Sequence, residues 1–375
     1  MNRLFLILFL IINFTLFYNV PRSNAQNKVD RLILISLDGV RTQELFQGLD
    51  VDLLMKKNQG KKKEDLPLYQ KYFGNKPKES REKLMPFFWK EWIPNHGVVI
   101  GNRHSDSNNT MKLLNRRRFS FPGYNEILSG TADDKRINSN SKIQNPNSTV
   151  LDFLKTKWNL TENQIACFAS WDVFPYIVSS EFGSIYTNAG FADYPFGTSE
   201  KIKTLNAAQF EQPTPWDSVR HDYTTFSFAL DFMKRNKPKV MYLSLGETDD
   251  WAHNDRYDRV LETLNRTDNY FKVLWNYLQS EEFYKDRTGV IICTDHGRGD
   301  NIFNWMSHND KLPGAEYVWM AVISPNVEQR GEWRPSNSNT ISQSQIASTL
   351  CALAGLNYLE FKPKAGEPIS EIIKN

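Results

Sequence analysis

Three short apolar runs, each followed at once by acidic residues, constrain this chain more than any other feature. Arg31 to Leu37 reads Arg-Leu-Ile-Leu-Ile-Ser-Leu and ends in Asp38-Gly39. Val240 to Leu245 leads through Gly246 into Glu-Thr-Asp-Asp-Trp-Ala-His at 247–253. Gly289 to Cys293 leads into Thr-Asp-His-Gly at 294–297. Continuous apolar runs of this length suit strands buried on both faces, as in a parallel sheet. Their carboxyl ends are then the edge where open α/β sheets form sites. An Asp before Gly is also ordinary turn chemistry, so Asp38 alone decides little. The Asp295-His296 pair weighs more, because neither side chain gains from a buried strand end unless it is paired or ligated.

The rest of the chain alternates between the two periodicities. Helices are predicted from Arg41 to about Gln47, and over Met85–Trp92, Thr149–Trp158, Asp217–Arg235, Asp255–Leu278 and Ser342–Ala354, the last ended by Gly355. Strands are predicted at Gly97–Ile100, Gln164–Ala169 and Tyr317–Ile323. No internal repeat is present. The alternation predicts a three-layer, doubly wound α/β domain spanning residues 26–375, with the site at the carboxyl ends of the strands. Residues 50 to about 83 are polar and Lys-rich, and read as a surface insertion with a helix around Leu66–Phe73. Lys56, Lys57 and Lys61 to Lys63 there suit a solvated loop better than a nucleic-acid site. Gly101 to Arg118 reads as a basic loop, and Ala132 to Ser148 as another loop. Ser170 to about Trp216 is rich in aromatics and turn residues, as expected of an insertion that walls a substrate site.

The first residues are not expected to belong to the fold. Asn2-Arg3 precedes an apolar run from Leu4 to Phe17, broken only by Asn13 and Thr15, and Ser23-Asn24-Ala25 offers small residues for cleavage. This reads as a signal peptide over 1–25, placing the mature chain in the periplasm or outside the cell, or on the membrane if uncleaved. No later stretch reads as a membrane span. The formal net charge is +3, falling to +1 without Arg3 and Arg22, which gives no general pull toward a nucleic-acid polymer. Cys167, Cys293 and Cys351 are an odd set in apolar surroundings, read as buried thiols, and none has zinc-finger spacing.

A second stretch, Phe119 to Gly130, reads Phe-Ser-Phe-Pro-Gly-Tyr-Asn-Glu-Ile-Leu-Ser-Gly. Pro122 suits a first helical turn, which puts Ser120 at or next to a helix N-terminus. An anion is favoured there, and a hydroxyl is more easily deprotonated beside a metal ion. Ser is also a common N-cap with no chemistry at all. Asp249 and His253 are four apart and share one face of a helical turn, where they can grip one ion. His308 follows in Trp-Met-Ser-His. Mixed Asp/His ligation suits zinc, with manganese the alternative, and there are ligands enough for two ions. His96, His104 and His221 lack such partners and read as surface or structural residues.

The order of these motifs resembles the alkaline phosphatase superfamily, most of all its type I phosphodiesterase and nucleotide pyrophosphatase branch. The likeness covers nearly the whole mature chain. It implies a catalytic domain with two divalent ions. One would be held by Asp249, His253 and His308, the other by Asp38, Asp295, His296 and the Ser120 oxygen. It implies further that the substrate is a small-molecule or glycan phosphoester, that Ser120 attacks its phosphorus and that a phosphoserine intermediate is then hydrolysed. Sulfatases of the superfamily use Cys/Ser-x-Pro-x-Arg, and here Tyr124 stands where that Arg belongs, against sulfatase activity. The phosphodiesterase branch typically has Thr-Phe-Pro-Asn, from which Ser120 and Gly123 depart.

Several roles stay open at this point. An Asn that binds a phosphoryl oxygen is implied, and Asn138 and Asn140 both lie near its place. Arg256 and Arg298 are candidates for phosphate oxygens and equally for ordinary surface arginines. Trp171, Tyr176, Tyr186, Tyr194 and Trp251 could wall a nucleotide or aryl group, although core packing suits them better. Monoester and diester substrates both fit. The rival functions are a sulfatase-like enzyme, a phosphotransferase that uses an alcohol in place of water, and a non-catalytic exported binder of phosphorylated glycans. The presence of every metal-site residue counts against the last.

Overall fold

The apolar runs do form strands, and the strands set the position of everything else. The computed structural model describes residues 29–374, except 108, 213, 329 and 336–339. The signal-peptide reading of 1–25 lies outside the described residues. In chain order the strands are β1 (Arg31–Leu37), β2 (Gly97–Ile100), β3 (Met111–Lys112), β4 (Ile165–Ala169), β5 (Tyr186–Ala189), β6 (Val240–Leu245), β7 (Thr288–Thr294), β8 (Tyr317–Val318), β9 (Met320–Ile323), β10 (Gly331–Glu332) and β11 (Ile341–Ser342). Eight of them form one sheet in the order β10-β2-β9-β7-β1-β6-β4-β5, and β11-β3-β8 form a second, small one. From β7 to β5 the large sheet is parallel, while β9 runs antiparallel to both β7 and β2.

The sheet is covered on both faces, which is why its strands read as continuous apolar runs. Ile33, Ile35 and Leu37 of β1 join one core, with Phe226 and Phe232 of the helix Asp222–Asn236 and Leu264, Phe271 and Leu278 of Tyr257–Ser280. Leu32 and Leu34 face the other core, with Ile127 and Leu128 of Ser120–Ser129, Leu154 of Val150–Lys157 and Leu350 of Gln345–Leu353. This is the predicted three-layer α/β arrangement, with a mixed sheet at one side. Register then aligns the strand ends. Leu37 lies opposite Leu245 on β6 and opposite Thr294 on β7, so Asp38, Gly246 and Asp295 leave the sheet side by side.

The structure corrects several boundaries. Residues 50–83 are not a surface excursion throughout. Helices Val51–Lys56, Pro67–Tyr72 and Pro77–Leu84 bury Leu53, Leu54, Tyr72 and Leu84 in the main core, and the Lys-rich tip between the first two is exposed. The aromatic stretch 170–216 holds an edge strand, β5, and a helix, Glu200–Glu211. Its Tyr186 and Tyr194 stack on Phe232 and Phe228 and belong to the core. The helix predicted from Asp217 begins at Asp222, because Val219 bridges Trp171 and the Arg220 N–H donates to the Ser170 carbonyl. Tyr317–Ile323 splits between the two sheets as β8 and β9, and Ile341–Ser342 pairs with β3 in place of starting a helix. The three cysteines are buried and unbonded. Among the described residues no helix is long and apolar enough to cross a membrane.

Candidate metal centre

Each candidate side chain is delivered by an element whose local sequence explains its position. Asp38 and the Asp295-His296 pair leave β1 and β7 at aligned ends. Gly39 turns the chain with φ +62°, and a Cβ there would sit 2.5 Å from Asp249 Oδ1 and 2.9 Å from Arg298 Nε. Glycine is needed on both counts. Asp249 and His253 lie on the short helix Glu247–His253 that follows β6. Ser120 is the first residue of Ser120–Ser129, buried, with its Oγ 3.4 Å from His296 Nε2. That helix can approach so closely because Gly123 has no side chain, since a Cβ there would collide with the Asp295 carbonyl oxygen. His308 comes from the loop after β7.

The structure brings Asp38, Asp295 and His296 into one group, and a hydrogen bond from outside the group holds one atom of each and turns the other toward its neighbours. The Tyr124 hydroxyl donates to Asp38 Oδ2 at 2.8 Å, and the Gly39 N–H donates to Asp295 Oδ1 at 3.0 Å. His296 Nδ1 donates to the Gly297 carbonyl at 2.9 Å. What remains is Asp38 Oδ1 and Asp295 Oδ2, buried and without a hydrogen-bond partner, at 3.3 and 3.5 Å from His296 Nε2. Orphaned carboxylate oxygens in a buried site are costly unless a cation satisfies them. Burial and then Asp38 push the Asp295 carboxyl well above its usual range, and burial and then Asp249 raise Asp38. Burial alone would lower His296, but Asp295, Asp38 and Asp249 outweigh it and hold the imidazole up at about 9. Two carboxylates and an imidazole, oriented by second partners, are a donor set that fits a divalent ion.

Asp249, His253 and His308 form the second group. His253 Nε2 lies 3.2 Å from Asp249 Oδ2 and 3.0 Å from His308 Nε2, and His308 Nε2 lies 3.7 Å from Asp249 Oδ1. His308 Nδ1 donates to the Arg118 carbonyl at 3.0 Å, which turns Nε2 toward the other two. Burial and then His296 hold the His308 pKa well below its usual value, so the ring is neutral, the form that ligates. In each group the three ligand atoms lie within 4.8 Å of one another. The groups adjoin, with Asp249 Oδ1 3.7 Å from His296 Nε2 and the His296 and His308 rings stacked at 3.9 Å.

The two arginine candidates separate: Arg256 is a surface residue, one of its two alternatives, and Arg298 is not. Arg298 is buried, donates from Nη1 to the Met306 carbonyl at 2.5 Å and from Nη2 to the Asp249 carbonyl at 2.9 Å, and pairs with the Asp249 carboxylate. Burial alone would raise Asp249, but Arg298, His253 and His308 outweigh it and hold this carboxyl well below the usual range. Arg256 is half exposed and spends its guanidinium on Asp258 at 2.9 and 2.6 Å. The two asparagines separate. Both are exposed; Asn140 Oδ1 accepts the Phe121 N–H at 3.0 Å, one residue from Ser120, while Asn138 lies on a pocket wall beside Ile137 and Ser139. His96, His104 and His221 lie outside both groups; His104 meets Thr42 and His221 meets Glu247, each at 3.0 Å.

Some site residues were not foreseen. Thr248 Oγ1 donates to the Asp38 carbonyl at 2.6 Å, and the buried Gln343 amide donates to the Gly123 and Asp295 carbonyls at 2.8 and 3.0 Å. Gln343 is remote in sequence and nothing around it marks it. Tyr124 carried a signal, being four residues after Ser120 and therefore on the same helix face.

No protein-family model and no curated protein sequence matches this chain. Solved structures do match. Wild-type alkaline phosphatase PafA aligns over 92% of this chain and 99% of its own, with TM-score 0.59 and 10% identity. The lipoteichoic acid synthase LtaP from Listeria monocytogenes aligns over 90% and 75%, with TM-score 0.55 and 11% identity. Murine ectonucleotide pyrophosphatase/phosphodiesterase 5 aligns over 92% and 100%, with TM-score 0.53 and 9% identity. Sulfatases match as well. The fold is that of the alkaline phosphatase superfamily, as the order of the motifs implied. Phosphatase, phosphodiesterase, synthase and sulfatase all stand on it, so the site's own chemistry must choose among them.

Proposed function

We propose that this protein is an exported, two-metal hydrolase of phosphoric esters with Ser120 as its nucleophile. The observation that carries the reading is the juxtaposition of a buried Ser120 hydroxyl, at a helix N-terminus and within reach of His296 Nε2, with the Asp38 and Asp295 carboxylate oxygens that lack hydrogen-bond partners. Asp38, Asp295, His296 and Ser120 would hold one ion, and Asp249, His253 and His308 the other. Bound divalent ions would lower the pKa of the Ser120 hydroxyl and neutralise charge at phosphorus. Three histidines favour zinc, with manganese the alternative.

The chain's residues then divide the work. The Ser120 oxygen attacks phosphorus in line; the Oγ–P bond forms as the bond to the leaving oxygen breaks. Water cleaves the phosphoserine in a second displacement, returning the hydroxyl and releasing phosphate or a phosphomonoester. Asn140, whose Oδ1 accepts the N–H of the residue after Ser120, would hold a phosphoryl oxygen with its amide nitrogen. Against a sulfatase, Tyr124 occupies the position of that pattern's Arg and its hydroxyl is committed to Asp38.

The deciding experiment is metal content of the chain purified without residues 1–25, with hydrolysis of aryl phosphate mono- and diesters by wild type and Ser120→Ala. About two zinc per chain and turnover lost in the variant are expected, and the ratio of the two rates names the ester class. Added alcohols that capture the phosphoryl group in place of water would turn the reading to a phosphotransferase. A loaded but inactive protein would turn it to sulfated substrates or to glycan binding, and a chain that binds no metal would end it.

A further inference from the structure

Two serines interrupt the buried apolar strands at the same register. Ser36 in β1 (Ile-Ser-Leu) lies opposite Ser244 in β6 (Leu-Ser-Leu), one residue before each strand ends. Both are buried, where an unbonded hydroxyl costs stability and an apolar residue would pack without penalty. Their hydroxyls meet at 2.9 Å, and each has a tyrosine partner: Tyr242 OH lies 3.0 Å from Ser36 Oγ, and Tyr124 OH lies 3.4 Å from Ser244 Oγ. Tyr124 OH in turn lies 2.8 Å from Asp38 Oδ2. Both tyrosines are fully buried, and the Tyr124 ring is wedged edge-on against Phe174 with centroids 4.8 Å apart.

Proton counting fixes the direction of this chain. Each hydroxyl has one proton to give. An ionised Asp38 only accepts, so Tyr124 must donate to it. Ser244 then donates to Tyr124, Ser36 to Ser244, and Tyr242 to Ser36. Four hydroxyls supply four bonds, all pointing at one carboxylate oxygen, and such one-way chains strengthen each member. We propose that Tyr124 is a positioning residue: as the last of four aligned buried hydroxyls it holds Asp38 Oδ2 and thereby presents Oδ1 to the ion. Serines at 36 and 244 are small enough to admit the phenol beneath the site, and polar enough to orient it. A guanidinium at this position would bring a positive charge to the carboxylate. A phenol orients it and leaves its full charge for the ion. The inference rests on the two-metal reading above and concerns only the group built on Asp38, Asp295 and His296.

The test is zinc affinity, measured by competition with a chromophoric chelator on the chain from residue 26. The proteins are wild type, Tyr124→Phe, the double variant Ser36→Ala/Ser244→Ala, and Asp249→Asn to mark the other group. Wild type is expected to take two zinc ions. Tyr124→Phe should weaken one of the two by about 10–100-fold, the usual cost of removing an outer partner of a ligand. The site that Asp249→Asn weakens should be unchanged in Tyr124→Phe. The double variant should move the same site in the same direction by less. A purely structural role would lower the melting temperature with both affinities intact, or weaken both sites together. Superimposable zinc isotherms for wild type and Tyr124→Phe would overturn the proposal. If Tyr124→Phe does not fold, the double variant decides, and zinc binding like wild type's would overturn the chain of hydroxyls. A wild type that binds no zinc would overturn the metal reading itself, an outcome distinct from the others.

Discussion

Asn140 and Asn138 are two residues apart with the same chemistry, and only their surroundings separate them. Both are exposed, but Asn140 Oδ1 accepts the Phe121 N–H beside Ser120, which anchors that side chain next to the nucleophile, whereas Asn138 lies on the wall of a neighbouring pocket. Asn140→Ala should therefore lower kcat for aryl phosphate hydrolysis by about 10²-fold, the cost of a lost donor to a developing oxyanion. Asn138→Ala should leave it unchanged, and equal effects in the two variants would remove Asn140 from the site. This pair marks the limit of what single residues revealed in the sequence. Asp38, Asp295 and His296 were legible because charged side chains at the end of a buried strand need a reason to be there. Choosing between the asparagines, or finding Gln343 and Thr248, required knowing which loop lies over which carbonyl. Arg256 fits the surface alternative, but the surface alternative for Arg298 fails for the same reason. Arg298 is next to the site in sequence, but burial turns it inward to hold Asp249.

The helix Ser120–Ser129 is tied to the loop that precedes it by one buried carboxylate. Glu126 accepts the Leu114 N–H, the Asn115 N–H and the Asn115 side-chain amide, each at 2.8 Å. Burial, only partly offset by those donors, pushes its pKa from an ordinary 4.5 up to about 7. A carboxyl raised on folding stabilises most below its unfolded pKa, and that contribution is lost as pH rises through the folded one. The stability gap between wild type and Glu126→Gln should thus shift against wild type by about 3 kcal/mol between pH 4.5 and 7. Urea melts at several pH values would show it, and a gap independent of pH would mean that Glu126 ionises normally. At this scale the sequence was most legible where periodicity was clean: β1, β6, β7 and the long helix Tyr257–Ser280 appear close to where they were expected. It was least legible where tertiary pairing overrides local pattern. β5 is a four-residue edge strand, Tyr-Thr-Asn-Ala, recognisable only by its partner β4. The charged helix Glu200–Glu211 buries little beyond Ile202 and Gln209, so no apolar stripe announced it.

In the whole molecule the parallel sheet gathers residues from across the chain, and the register of β1 with β6 and β7 makes the site a consequence of the fold. Folding therefore brings Asp38, Asp249 and Asp295 close together; Arg298 answers Asp249, and one oxygen each of Asp38 and Asp295 is left without a hydrogen-bond partner. Stability of the molecule should then depend on the ions. A site occupied at a free concentration about 100-fold above its Kd adds about 2.7 kcal/mol. For two such sites, chelation should lower the melting temperature on the order of 5 °C. Asp295→Asn separates this linkage from general weakening. Burial and then Asp38 push the Asp295 carboxyl well above its usual range, so without an ion its negative charge is a cost to the fold and not a support. An amide removes that charge with little change of shape, and its oxygen can still accept the Gly39 N–H. The variant should melt close to chelated wild type and should recover only part of the zinc-dependent rise, because one site has lost a charged ligand while the other keeps all three. A variant that melted well below chelated wild type would mean that Asp295 serves the fold in its own right, and a full rise with zinc would place the ion elsewhere.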